Sequence, residues 1–196
     1  VTFRHIMING AGANGLVVKG GERIVIEDSL IRKAALAGVR LTGGCEKVKL
    51  VANLLADCGD TKNGTGGCLE FAGAEDAVVT LNHFTDSPHG LYGYGAADEN
   101  ARITLNTFNH LTVAGVLAGG GEGLRFYGNR FLRFGRKAVP FKVFQAVRGK
   151  PFKDAVIEAN GFASFEGAMG GKRPNAEAYV NEEGAIVLDG VKDVTV

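Results

Sequence analysis

The chain has 196 residues, 45% of them hydrophobic, with 30 Gly, four Pro and no Trp, and a formal net charge of +1. This length fits one domain with a sizeable core, and a charge near zero excludes bulk attraction to nucleic acid or membrane, so any charge argument must be local. No apolar run reaches the roughly 18–20 residues that a bilayer span needs, and the glycine content points to many tight reversals rather than long helices.

Along the chain one pattern recurs: apolar, any, apolar, two of any kind, Asn, any, large apolar. Residues 1–8 (VTFRHIMI) carry it weakly, with Ile6 at the Asn position, and residues 24–31 (IVIEDSLI) place Ser29 there. Fuller copies follow at residues 48–55 (VKLVANLL), 77–84 (AVVTLNHF), 101–108 (ARITLNTF), 124–131 (LRFYGNRF) and 155–162 (AVIEANGF). From Ser29 onward the key positions are 24, 29, 24, 23 and 31 residues apart. Between copies come second alternating segments: GLVV (15–18), GVRL (38–41), GCLEF (67–71) and GLYGY (90–94).

Short strands with alternate residues inward, repeating about every two dozen residues, are what a parallel β-solenoid requires, because each coil can bury its apolar face only against its neighbours. The expected fold is all-β, a right-handed parallel β-helix of about seven to eight coils. It forms a single domain over residues 1–196, or a segment of a longer solenoid, with enlarged loops near 57–66, 133–153 and 163–184. A leucine-rich-repeat horseshoe shares much of the signature. It requires helix-like segments where this sequence is Gly-rich and alternates with period two. Asn53, Asn82, Asn106, Asn129 and Asn160 are expected to stack as a hydrogen-bonded ladder that holds the coils and does no chemistry. Cys45, Cys58 and Cys68 lack the paired spacing of a disulfide framework or zinc site; Cys58 and Cys68 could close one loop, but buried thiols suit an odd count better.

A solenoid turns positions of equal offset into columns about 4.8 Å apart, so chemistry is sought across coils. Four residues past the ladder lie Lys33, Asp57, Asp86, His110 and Arg133, a polar column leading into the next strand. The outward side of that strand should show Val17, Arg40, Glu70, Tyr92 and Lys142, lining a groove suited to a long polymer. Within it His89 and Arg133 are the candidate catalytic residues, His89 as a general base. Arg40, Tyr92, Tyr94, His110, Arg136, Lys137 and Lys142 are candidate substrate-binding residues, the tyrosines offering ring faces to sugars. Asp57, Glu70 and Asp86 are oxygen donors for a calcium ion, which takes roughly six to eight oxygens; the alternative is solvated acids pairing with Lys33 or Arg40. Residues 130–153 hold eight Lys and Arg with no acid until Asp154, a patch that attracts anionic polymers or forms a solvated loop.

The runs AGVRLTGGCEKVKLVANLL, GGCLEFAGAEDAVVTLNHFTDSPHGLYGYG, RITLNTF and LRFYGNRF resemble the pectate lyase superfamily, over roughly residues 24–162. The resemblance implies a right-handed parallel β-helix and, for active members, calcium-assisted β-elimination of polygalacturonate with an Arg as base. The family's D-G-L-L-D segment corresponds to GGCLE, so that Gly66 replaces one Asp and Glu70 keeps a carboxylate. Asp86 falls near the family's next acidic position, and His89 near its Lys. The family's R-x-P-R-x-R segment corresponds to VAGVLAG, with Val116 where the proton-abstracting Arg belongs.

Together these observations favour a β-helix that acts on or binds acidic, uronate-containing polysaccharide, with a degenerate lyase-like groove; as an enzyme it would be a polysaccharide lyase or related carbohydrate-active protein. The alternative is a noncatalytic structural or adhesive solenoid, such as a segment of a phage tail or cell-surface protein. A single-stranded nucleic-acid binder finds no recognised module. Exposed solenoid ends call for capping by an adjoining domain or a second copy. A chain starting at Val1 without Met is expected to have lost a leader or upstream segment, which fits an extracellular or periplasmic protein.

Overall fold

The computed structural model describes residues 1–94, 98–133, 139–143, 152–163, 186–188 and 191–195. Each coil contributes three strands. The first coil holds β1 (Thr2–Arg4), β2 (Met7–Asn9) and β3 (Leu16–Glu22), and the second β4 (Val25–Glu27), β5 (Leu30–Arg32) and β6 (Ala37–Glu46). The third holds β7 (Lys49–Val51), β8 (Leu54–Ala56) and β9 (Gly67–Glu75), and the fourth β10 (Val78–Thr80), β11 (His83–Thr85) and β12 (His89–Tyr94). In the fifth are β13 (Arg102–Thr104), β14 (Thr107–Asn109) and β15 (Ala114–Ala118), and in the sixth β16 (Arg125–Tyr127), β17 (Arg130–Leu132) and β18 (Val139–Val143). The seventh has β19 (Phe152–Glu158), β20 (Gly161–Ala163) and β21 (Ile186–Leu188), and β22 (Val191–Thr195) opens an eighth.

The strands stack into three sheets. The first runs β1-β4-β7-β10-β13-β16-β19-β22, the second β2-β5-β8-β11-β14-β17-β20 and the third β3-β6-β9-β12-β15-β18-β21. Each strand pairs in parallel with its equivalent one coil on, as in Val79↔Ile103 and Phe84↔Phe108. Seven coils with an eighth begun match the expected number, and among the described residues no helix replaces a strand, which removes the horseshoe. The predicted loop at 57–66 is present; the other two predicted loops lie mostly outside the described residues.

Alternation explains the core. Ile26, Leu50, Val79, Ile103 and Phe126 point inward from the first sheet and are fully buried. From the second sheet Phe84, Phe108 and Phe131 stack with centroids 5.0 and 4.8 Å apart. Where the chain turns from first to second sheet, the residue before the ladder has positive φ in every coil, from His5 to Ala159. An L side chain there costs roughly 1 kcal/mol. The conformation aims the amide along the axis, so that Leu81 N–H reaches Thr104 O and Leu105 N–H reaches Tyr127 O.

The ladder itself is as expected. Asn82 Oδ1 accepts from the backbone N–H and the Nδ2 of Asn53, both at 2.9 Å, and the arrangement repeats from Asn82 to Asn106, Asn129 and Asn160. Ser29 takes the ladder position in the second coil, its Oγ accepting from Ile6 N–H. All three cysteines are buried free thiols.

A second column positions the third sheet. Register aligns Gly15, Gly38, Cys68, Gly90 and Gly115 on successive coils. A Cβ on Gly90 would lie 2.5 Å from Phe108 Cδ1 and 2.7 Å from Gly115 O. Small residues therefore let the third sheet fold closely over the second, and this brings His89 and Tyr92 to the edge where the two meet.

Candidate functional site

The outward face of the third sheet carries one in-register column. Val17 pairs with Arg40, Arg40 with Glu70, Glu70 with Tyr92, Tyr92 with Leu117, and Leu117 with Lys142. Strand alternation brings these residues together, since each is flanked by inward positions such as Val39, Leu69 and Leu91, all fully buried. Leu117 interrupts the polar run in the fifth coil and was not anticipated. The neighbouring Val116, where the lyase resemblance places an Arg, is fully buried; alternation turns that position inward, so no charged group belongs there.

Three side chains of the column interact. Arg40 Nε lies 3.4 Å from Glu70 Oε2, close enough for charge attraction, yet it is a buried nitrogen without a hydrogen bond. The Tyr92 hydroxyl donates to the same Glu70 oxygen at 3.3 Å. Burial, reinforced by the Glu70 charge, pushes that hydroxyl above the usual phenol range. The His89 ring packs against Tyr92 with centroids 5.5 Å apart, and His89 Nδ1 lies 2.8 Å from Gly66 O. The carbonyl can only accept, so Nδ1 carries the proton and Nε2 the lone pair. Burial lowers the His89 pKa, opposed by the Gly66 bond, and keeps the imidazole neutral at neutral pH.

Residues 57–66 form the wall beside His89. Asp60 Oδ1 accepts from the backbone N–H of Lys62 and Asn63, and Asp60 bridges back to Thr65. The loop reaches past the fourth coil: a Cβ on Gly64 would lie 3.1 Å from Val113 Cγ2 in the fifth.

The polar column past the ladder is a second, separate feature. Lys33, Asp57, Asp86, His110 and Arg133 all have positive φ between 49° and 56° and mark the corner between second and third sheets. Asp and His are among the residues that tolerate such φ. Asp86 Oδ1 and His110 Nδ1 meet at 2.6 Å, and Thr85 Oγ1 donates to Asp86 Oδ2 at 2.8 Å. Burial opposes the shift, but these bonds hold the Asp86 carboxyl below its usual range. Arg133 stands at the next coil of this corner and not on the third sheet.

The proposed calcium donors are divided between the two features. Glu70 is held by Arg40 and Tyr92, while Asp57 and Asp86 lie on the corner, and among the described residues no three His, Cys, Asp or Glu side chains gather to hold a metal ion. Asp57, Glu70 and Asp86 thus do not form one cluster among the described residues. Tyr94 is also not a groove residue. It is fully buried, its ring set edge-on against Phe71 at 5.5 Å and its hydroxyl donating to Glu122 O at 3.0 Å. Arg136 and Lys137 lie outside the described residues, and of Lys142 only the backbone register is described. Asp98 went unnoticed in the sequence: it is buried and accepts from the Gly73 and Ala74 N–H groups at 3.1 and 2.7 Å. Register aligns it with Gly21, Cys45 and Ala74 of earlier coils, none of them acidic, so no repeated residue type marks the position.

A family model described as "Right handed beta helix region" matches residues 1–142. No curated protein matches the sequence. Among solved structures, the chain is similar to DFA-IIIase from Arthrobacter chlorophenolicus A6, with TM-score 0.60 and 12% identity over 94% of this chain and 52% of that one. It is similar also to the same protein in complex with GF2, with TM-score 0.55 and 12% identity over 94% and 50%. The chain spans about half the length of these structures, and a likeness at this identity is one of fold. Among the described residues no helix is long and apolar enough to cross a membrane.

Proposed function

The chain belongs to the right-handed β-helix family, and from that premise we propose that it binds an acidic, uronate-containing polysaccharide along the outer face of its third sheet. One observation carries the reading: Arg40, Glu70 and Tyr92 stand side by side on three successive coils, with His89 against Tyr92. A polymer lying along the axis would meet a cation, a carboxylate and a ring face in succession. Arg40 would hold a uronate carboxylate, Tyr92 would stack on a sugar ring, and Glu70 would accept from hydroxyl groups. The fold likeness to DFA-IIIase supports a carbohydrate-related role.

The same groove has the parts for elimination without a metal. His89 Nε2 is the one ring nitrogen able to take a proton, here the proton at C5 beside the uronate carboxylate. The electron pair left at C5 would form the C4–C5 double bond as the C4–O bond breaks, and the leaving oxygen would take a proton from water. Arg40 would stabilise the charge that develops on the carboxylate.

A second reading, a noncatalytic structural or adhesive solenoid, is favoured by Leu117, an apolar residue in the middle of the outward column. Incubation with polygalacturonate, alginate and a glycosaminoglycan separates the two. Binding that Tyr92→Ala weakens, with or without the ultraviolet absorbance of an unsaturated product, supports the groove. Failure to bind all three polymers leaves the structural solenoid.

A further inference from the structure

On the first sheet, the position after the opening apolar residue of each repeat faces outward and stacks as Val25, Lys49, Val78, Arg102, Arg125 and Val156. Lys49, Arg102 and Arg125 are exposed, and among the described residues none makes an ion pair. Arg4, Arg23, Arg40 and Lys47, by contrast, are each paired with a Glu. Arg102 and Arg125 are directly opposite one another on neighbouring strands, an arrangement that like charges disfavour. At the neighbouring corner Arg23 and Lys47 join Lys49 and Arg102 around a groove of about 550 Å³, with Asp76 its one acid.

We infer that this face is a second binding surface, a cationic rail for an acidic polysaccharide chain lying along the solenoid axis. Strands are about 4.8 Å apart, close to the length of one sugar unit. Arg102 and Arg125 therefore match successive uronates or sulfated sugars, and Lys49 matches a unit two places away. Two residues along each strand a parallel outward column holds Glu27, Val51, Thr80, Thr104, Tyr127 and Glu158, so that beside Arg102 and Arg125 lie hydroxyls, Thr104 Oγ1 donating to Thr80 Oγ1 at 3.1 Å, and one exposed ring, Tyr127. That lining suits sugar hydroxyls and lacks the series of aromatic platforms on which single-stranded bases stack. The choice of a glycan rests on the carbohydrate reading of the third sheet; the cation column does not. The rail lies on a different sheet from Tyr92, so the two surfaces can be disabled separately.

The test is retention on immobilised polygalacturonate and on a sulfated glycosaminoglycan at low salt, with a single-stranded oligonucleotide of equal charge as competitor. The variants are Lys49→Gln/Arg102→Gln/Arg125→Gln, the charge-keeping Arg102→Lys/Arg125→Lys, and Tyr92→Ala. All three rail positions are exposed, so unfolding midpoints should stay at the wild-type value. The triple Gln variant should bind at least tenfold more weakly, with a flatter salt dependence, while the Lys variant keeps most of the affinity. Unchanged affinity in the triple variant overturns the rail. Tighter binding of the oligonucleotide than of either glycan overturns the polysaccharide as its occupant. An effect of Tyr92→Ala with none from the triple variant leaves the third-sheet groove standing alone, and the reverse result removes the groove and keeps the rail.

Discussion

Tyr92 and Tyr94 are two residues apart on one strand yet face opposite sides of it. Gly93 between them has φ +80°, and the pairing to β15 slips there, Tyr92 opposite Leu117 and Tyr94 opposite Ala118. A Cβ on Gly93 would collide with Phe71 O. Gly93→Ala should therefore cost about 2–4 kcal/mol, from the unfavourable φ and the clash together. Tyr94→Phe, which removes the bond from the hydroxyl to Glu122 O and the one it accepts from Ala101 N–H while Asn100 N–H still bonds Glu122 O, should cost about 1 kcal/mol and leave glycan binding unchanged. Urea unfolding beside a binding assay checks both, and a Tyr94→Phe protein that folds normally but loses glycan would return Tyr94 to the groove.

Asn106 is a fully buried central rung of the ladder. Its Oδ1 takes two bonds from Asn82, and its Nδ2 gives one to Val79 O and one to Asn129 Oδ1. Asn106→Ala would remove a partner from buried groups on the two flanking coils, Asn82 and Val79 on one side and Asn129 on the other, at about 1–3 kcal/mol for each group left unpaired, less whatever relaxation recovers. The expected loss is about 3–5 kcal/mol, read as a lower urea midpoint with an unchanged slope. A loss under 1 kcal/mol would mean that water replaces the ladder.

The repeat made the fold legible because each coil must present the same inward residues to its neighbours. Aligning the copies therefore also aligned Arg40 with Glu70 and Tyr92. What alignment does not carry is any departure from strict alternation. The Gly93 bulge turned Tyr94 into the core, and Asp98 is an acid at a position that other coils fill with Gly21, Cys45 and Ala74. The polar corner column was visible, but its positive φ was not, since the same angle is held by Asp57 and Asp86 there and by Leu81 and Leu105 before the ladder. Lys49, Arg102 and Arg125 were legible in the aligned copies, at the variable position of each repeat, once that position is read as a surface column.

The thiols report on the tightness of the core. Burial raises the pKa of Cys58 and of Cys68, and Cys68 Sγ is packed 3.3 Å from both Leu55 O and Ser87 Oγ. Thiols react as thiolates, so Cys58 and Cys68, with the equally buried Cys45, should resist iodoacetamide in the native protein and all label in denaturant. Mass spectrometry counts the adducts. Rapid native labelling of Cys58 or Cys68, or a disulfide between them, would contradict the packing described here.

Acid should weaken the fold in two stages. Burial lowers the native pKa of His83 and of His89, opposed by the Asp86 charge and the Gly66 bond respectively. The unfolded chain takes up these protons near about pH 6.5, the native protein only lower. Stability therefore falls as pH drops through about 6.5 and levels once the native histidines also protonate. Asp86 is depressed in the native state, so its contribution is present above about pH 4 and is lost as pH falls through its native value. Melting temperatures across this range should show both limbs. His89→Gln should flatten the upper limb and Asp86→Asn the lower, whereas limbs unchanged by these variants would assign the acid response to other groups.

Arg40 and Glu70 make opposite predictions for one ligand. Their side chains are 39% and 20% exposed, so the pair itself adds about 0–1 kcal/mol to stability, and losing either partner should barely move the melting temperature. Binding is different. Arg40→Gln removes the cation that would hold a uronate, and affinity for polygalacturonate should fall about tenfold. Glu70→Gln removes a negative charge facing the polymer and releases Arg40 from its partner. At a separation of about 7 Å in water, two unit charges interact by roughly 0.6 kcal/mol, so affinity should rise about threefold. A neutral polymer should show little of either effect, because both changes act on charge and leave the Tyr92 ring face in place. If Glu70→Gln weakens polygalacturonate binding as strongly as Arg40→Gln, then Glu70 accepts from the sugar directly, and the groove recognises hydroxyl groups rather than charge.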